Sequence, residues 1–358
     1  MTDDNRKIKN ILMIFLFVLI FYILKQLAVL IIPLILALLF AILFQPLILR
    51  LASWKIPRVL ILVVVSLLSL SIIFVIFNVF LESFSQILDE QEYLTSRFYY
   101  KLEQFLTVLN SYTSFDLGTE SAIEAIKKFF DVGFISKTAG GLAKSVSKFS
   151  GLFIMFAIYY IIFLSSLSNY QAFLQHVGGK GQGKRLVENF EVVQKSIFSY
   201  LVIKTIISSC TGLIAGLICW GFNIRFALIF GIFTFLLNFI PTIGSIIASL
   251  FPFMMAIVQY NDITKPLVLI VILTSIQMVM GNLVEPKITG DKLRLNTITV
   301  IFGLVFWGYI WQIPGMILSV PFMVTLKLIL EQISGTEMIA RAMENPFVKI
   351  RSKADQKT

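Results

Sequence analysis

The residues most able to do chemistry in this chain are polar or helix-breaking ones set in apolar surroundings. Asn238 precedes Pro241 by three positions, with Gly244 three further on, so the polar residue and the break share one end of a helix. Gln277 and Asn282 lie late in a following apolar run, which closes on Glu285-Pro286-Lys287. A second break sits at Pro314-Gly315. Proline removes a backbone donor and glycine permits a turn. A broken helix at membrane depth frees carbonyls and amides that protein, water or a passing solute must satisfy. Such points form ion and substrate sites in secondary transporters. Asn238 and Gln277 could equally hold helices together by hydrogen bonds. Glu285 could bind and release a proton or cation, or form an interfacial ion pair with Lys287 or a neighbouring base. Lys204 and Arg225 bracket an apolar span and are expected to snorkel, with Lys204 a candidate contact for an anionic substrate.

Only membrane helices can hold such residues in place. In 358 residues, 58% are hydrophobic, only 14% are charged, and the mean hydropathy is +0.89. Soluble domains carry about 25% charge. The net charge of +10 fits basic residues held on the cytoplasmic side and drawn to anionic lipid, and no basic stripe interleaved with aromatics points to nucleic acid. Cys210 and Cys219 are nine residues apart on opposite faces of a helix, so they are not expected to pair. The single His176 excludes a His-rich metal site. No metal or other cofactor is expected.

Crossing about 30 Å of hydrocarbon takes roughly 20 helical residues. Two short crossings fit Ile11 to Leu49. Single ones fit Val59 to Leu81, Ser150 to Ser168, Thr205 to Ile224 and Val268 to Val284. Two uncharged runs are too long for one crossing. Phe226 to Asn261 and Leu295 to Leu326 would extend about 54 Å and about 48 Å as straight helices. With the breaks at Pro241 and Pro314, each reads as a helix–break–helix hairpin, re-entrant or fully spanning. The fold class is therefore an all-α polytopic membrane protein of about eight segments, two of them Pro/Gly-broken hairpins, plus an extramembrane amphipathic helical region.

Basic residues in the connections orient the chain. Arg6, Lys7 and Lys9, then Arg50, Lys55 and Arg58, then Lys180, Lys184, Arg185 and Lys195, then the tail from Lys327 all fall inside if both termini are cytoplasmic. Two hairpins also place the 259–265 connection outside and Lys287, Lys292 and Arg294 inside. Residues 82–148 then lie outside. Leu102, Phe105, Leu106 and Leu109, and again Ile123, Ile126, Phe129 and Phe130, recur there at helical spacing. They suit helices packing on each other or on the bilayer, a subunit contact, or a cap over a pathway. The chain thus divides into N-terminal helices over 1–81, the extramembrane region over 82–148, a core over 149–331 and a basic cytoplasmic tail over 332–358. The first apolar run lacks a small-residue cleavage site and continues into a second span, so it is not read as a signal peptide.

Gly178 to Lys184 matches the first seven positions of a phosphate-binding loop, but Arg185 stands where Ser or Thr must hold magnesium. A flexible cytoplasmic loop is expected there, and an ATP-driven pump is excluded. No nucleophile–base set stands out, so the chain is not read as an enzyme.

Three blocks carry a family resemblance. They are Tyr200-Leu-Val-Ile-Lys204-Thr with Leu237-Asn238-Phe-Ile-Pro241-Thr-Ile-Gly244-Ser-Ile, then Gly281-Asn282-Leu-Val-Glu285-Pro286-Lys287-Ile-Thr-Gly290, then Phe306-Trp307-Gly308 through Pro314-Gly315-Met316 to Leu318-Ser-Val-Pro321. In these the sequence resembles the autoinducer-2 exporter family, particularly its quorum-signal transporter members, over about residues 196–331. The resemblance implies a homo-oligomeric helical transporter in the bacterial cytoplasmic membrane, its partners lipid and a small-molecule or ion substrate. It implies export of a small hydrophilic signal molecule, or sodium (lithium)/proton antiport. A non-transporting membrane scaffold or regulator, binding a partner through residues 82–148, is the alternative of another class.

Overall fold

The computed structural model describes residues 3–112, 150–167, 170–289, 295–333 and 335–344, and among these the secondary structure is helical, with one isolated antiparallel bridge between Leu295 and Glu344. The helices are α1 (Asp3–Gln26), α2 (Ala28–Ser53), α3 (Arg58–Asp89), α4 (Gln91–Tyr112), α5 (Ser150–Ser166), α6 (Tyr170–Gly179) and α7 (Gln182–Gly221). They continue as α8 (Ala227–Leu237), α9 (Ile243–Gln259), α10 (Thr264–Met278), a π-helical turn (Val279–Val284), α11 (Glu285–Thr289), α12 (Thr297–Leu330) and α13 (Glu337–Ala342). Six helical stretches are long and apolar enough to cross a membrane, and α5 with α6 makes a seventh by the same measure. The expected eight is thus approximately met, since α8–α9 supplies a further, broken segment.

The described chain divides into two compact units, one of residues 1–67, 152–203 and 288–358, the other of 68–151 and 204–287. In the first, Phe21 of α1 meets Phe306 edge-on at 5.0 Å between centroids, and the Trp311 indole donates to the Leu24 carbonyl at 2.9 Å. Phe40 of α2 packs on Phe156 of α5 at 5.5 Å, beside a fully buried Tyr160. In the second, Cys219, Phe230, Met255, Ala256, Leu269 and Leu273 form a core that Leu94 of α4 helps cover. Cys210 and Cys219 are both free.

Both hairpins form. In the second unit α8 and α9 are about 16 Å and 25 Å long at 11 and 17 residues. Each falls short of the hydrocarbon core. Their open ends are tied together: the Gln259 amide donates to the Asn223 carbonyl at 2.6 Å and its oxygen accepts from the Arg225 N–H at 3.0 Å. At the tip, a Cβ on Gly244 would lie 1.7 Å from the Leu237 carbonyl oxygen, so only glycine admits the reversal. The adjacent Thr242 is β-branched yet has φ +61°, a conformation sterically costly for that side chain. The first arm lies against α7 through small residues, where a Cβ on Gly212 would sit 2.7 Å from the Gly231 carbonyl oxygen.

In the first unit α12 also turns back. Its helical dihedrals break at Trp311 and Gln312. A straight helix would hold Trp307 and Phe322 about 22 Å apart, whereas their ring centroids lie 4.3 Å from each other, tilted at 37°. A Cβ on Gly315 would lie 2.0 Å from the Trp307 carbonyl oxygen.

One expectation is overturned. The Gly178–Lys184 segment is not a flexible loop: α6 and α7 run through residues 170–195 and reverse at Gly179, whose φ is +61°. Tyr170 and Gln171 both donate to Glu191 Oε1, at 3.1 Å and 2.8 Å, closing a helical hairpin. A Cβ on Gly178 would be 2.5 Å from Gly183 backbone atoms. The glycines that mimic a phosphate loop are there because two helices nearly touch. The helix around Leu102, Phe105, Leu106 and Leu109 is α4, though those side chains lie outside the described residues. So do Ile123, Ile126, Phe129 and Phe130, the 290–294 segment with Lys292 and Arg294, and the tail from residue 345.

Candidate functional site

The site assembles along one face of α7. Its residues 204, 208 and 212 rise one turn at a time, presenting Lys204, Ser208 and Gly212. Gly212 brings the first hairpin arm close, and that approach fixes what the other two residues meet. Asn238, which caps α8, donates from Nδ2 to the Ser208 hydroxyl at 3.0 Å. One turn further along α7, Lys204 Nζ donates to both carboxylate oxygens of Glu285, at 2.8 Å and 2.9 Å. The lysine side chain is 7% exposed and that of the glutamate 28%.

Lys204 therefore does not snorkel. It is held in the protein by a charge-assisted pair, whose geometry is stronger than that of a neutral bond. Arg225 does not snorkel free either: it pairs with Glu90 and lies 5.1 Å from the Tyr93 ring centroid. The base beside Glu285 is Lys204, not Lys287, which is exposed. A run of i to i+5 hydrogen bonding precedes Glu285, whose N–H bonds to the Met280 carbonyl. A π-helical turn of this kind inserts a residue and re-aims the side chains beyond it, and such turns gather at functional positions.

Of the residues expected in the site, Asn238, Glu285 and Lys204 come together at α7, with Pro241 and Gly244 forming the hairpin tip beside them. Gln277 is half-buried on α10, while Asn282 and Pro286 are exposed. Pro314 and Gly315 belong to the other unit, at the turn of α12. Sequence reasoning missed Ser208 and Thr234. Both are fully buried, and the Thr234 hydroxyl has no hydrogen-bond partner. Their signal was the four-residue spacing from Lys204 and to Asn238, which puts each on the same helix face as its charged or polar neighbour.

Chemically the arrangement is a neutral ion pair, a carboxamide and two hydroxyls gathered at a helix break among apolar helices. It can exchange hydrogen bonds with a polar solute, and its carboxylate can carry an exchangeable charge. No group of His, Cys, Asp and Glu among the described residues could hold a metal ion.

The AI-2E family transporter model matches residues 11–335. The chain is similar to the AI-2 transport protein TqsA of Escherichia coli K12, 40% identical over 159 residues, 44% of this chain and 46% of TqsA. A putative transport protein of Borreliella burgdorferi is 32% identical over 186 residues, 52% of this chain and 51% of that one. The putative transport protein YhhT of Escherichia coli K12 is 26% identical over 304 residues, 81% and 82% of the two chains. The chain thus spans about half the length of TqsA and of the Borreliella protein, and most of YhhT.

Proposed function

This chain belongs to the AI-2E family of transporters, and on that basis we propose that it is a secondary exporter of a small hydrophilic signal molecule resembling autoinducer-2. It works in the bacterial cytoplasmic membrane as a homo-oligomer, with both termini in the cytoplasm. The observation that carries this reading is the juxtaposition of the Lys204–Glu285 pair with the Asn238-bearing hairpin tip, through Ser208. The solute's polar groups replace the Asn238–Ser208 bond and engage the charged pair, so its desolvation is compensated inside the membrane. Thr242 at positive φ stores strain at the tip, the part that moves. Pro314 and Gly315 give the second hairpin a turn of the same kind. The named activity of TqsA, AI-2 transport, supports this substrate class.

Sodium (lithium)/proton antiport is the second reading, favoured by one feature: the Glu285 carboxylate is partly exposed and can exchange a cation for Lys204. Uptake of labelled autoinducer-2 into inverted vesicles, beside a proton-flux assay with added sodium, separates the two. If both E285Q and N238A leave transport of every tested substrate intact, the site assignment is wrong.

A further inference from the structure

The open end of the α8–α9 hairpin carries a second polar cluster that the transport reading does not use. On α4, Arg97 and Lys101 are one turn apart and both reach the α9–α10 connection. Arg97 Nη2 and Lys101 Nζ each donate to Asn261 Oδ1 at 3.3 Å, and Lys101 also reaches the Asn261 carbonyl at 3.5 Å. Two cations thus converge on one neutral oxygen. The acids nearby are engaged elsewhere: Asp262 Oδ1 accepts from the Thr264 N–H at 3.1 Å and its hydroxyl at 3.0 Å, and Glu90 is paired with Arg225. Neither Arg97 nor Lys101 has a carboxylate partner among the described residues. The Arg97 Nε is moreover buried without any hydrogen-bond partner, which is costly for a charged donor.

These features describe a site for an oxyanion. A guanidinium offers parallel donors that match the two oxygens of a carboxylate or phosphate, and an ammonium adds a point charge beside it. An anion there relieves the like-charge repulsion and satisfies Nε in one step. We propose that Arg97, Lys101 and Asn261 bind a phosphate or carboxylate group, supplied either by a lipid headgroup or by a soluble anion. Because α4 and the α9–α10 connection both contribute, occupancy fastens α4 to the base of the hairpin.

The test uses the full chain. In detergent, inorganic phosphate is titrated at constant ionic strength while thermal unfolding is followed. In a second arm, unfolding is compared in nanodiscs of phosphatidylcholine with and without phosphatidylglycerol. A saturable rise in Tm with phosphate, its midpoint at least tenfold higher in R97Q/K101Q, supports the site and names a soluble anion as its source. A rise only with phosphatidylglycerol, lost in the same variant, supports it with lipid as the source. No rise in either arm, or an equal rise in the variant, overturns it. Should R97Q/K101Q fail to fold, N261D decides: a carboxylate placed between the cations raises Tm without ligand and abolishes the response. If N261D responds like the unaltered chain, the proposal fails.

Discussion

Lys204 and Glu285 are 81 residues apart in sequence and 2.8 Å apart in the structure. That contact joins α7 to the start of α11, and with Ser208 one turn away it places the hairpin tip beside a charged pair. Replacing Lys204 by Met leaves Glu285 uncompensated. A fully buried pair broken this way costs about 3–5 kcal/mol. Partial exposure of the glutamate screens some of that, so K204M should lose about 2 kcal/mol, read as a fall in Tm. The exchange K204E/E285K should restore part of the loss, whereas a merely steric role for Lys204 predicts no restoration.

Asn238→Ala removes the donor to a buried Ser208 hydroxyl. A neutral hydrogen bond of this kind contributes about 1 kcal/mol, and leaving a buried partner unsatisfied raises the cost to about 1–3 kcal/mol. The stability loss should therefore be modest while transport falls severely. An unchanged transport rate would detach the hairpin tip from the pathway.

Glycines at the two turns are under steric command. Gly244→Ala and Gly315→Ala would place a methyl 1.7 Å and 2.0 Å from backbone oxygens. Each should destabilise by at least about 3 kcal/mol or prevent folding, since backbone must move. Gly221→Ala, with nothing within 4 Å, should be tolerated. Expression level and the elution profile in detergent distinguish these outcomes.

The last described helix, α13, fastens the root of the second hairpin. Buried Lys327 bonds Glu331 at 3.3 Å and Glu344 at 2.8 Å, while the Asn296 side chain caps α12 through the Thr299 N–H at 2.7 Å and donates to the Ala342 carbonyl at 2.6 Å. Asn296→Ala loses a helix cap, about 1 kcal/mol, together with that tether. Hydrogen exchange over residues 337–344 should accelerate. Unchanged exchange there would mean that α13 is held independently of Asn296.

At the start of α10 the Asp262 carboxyl is held below the usual carboxylate range, chiefly by the Thr264 N–H, then by its hydroxyl. A depressed folded-state value means stability that is present above the ordinary Asp value and lost as pH falls through the depressed one. The Tm gap between the unaltered chain and D262N should stay constant from pH 7 to about pH 5 and close below about pH 4. A gap that widens in acid would contradict this sign.

Much of this was legible in the chain. Uncharged runs longer than a bilayer, each carrying Pro and Gly near its middle, specified helices and hairpins, because backbone in hydrocarbon must satisfy itself and an over-long run must turn back where proline removes a donor and glycine admits the turn. The breaks at Pro241 and Pro314 lie in the hairpins the structure contains. Polar residues at Asn238 and Glu285 announced themselves by the cost of placing them there. What local pattern could not supply was partnership. Lys204 reads as a snorkelling base until α7 and α11 pack, and Ser208 and Thr234 read as ordinary helix residues until Gly212 and Gly231 let the arm approach. The Gly178–Lys184 segment misled for the same reason: glycines that could cradle a phosphate serve equally where two helices nearly touch, and only the folded chain states which. Helices and their breaks depend on neighbours along the chain, so the sequence alone specified them. The charge pairing and the site came from contacts 30 to 81 residues away, which no local pattern encodes.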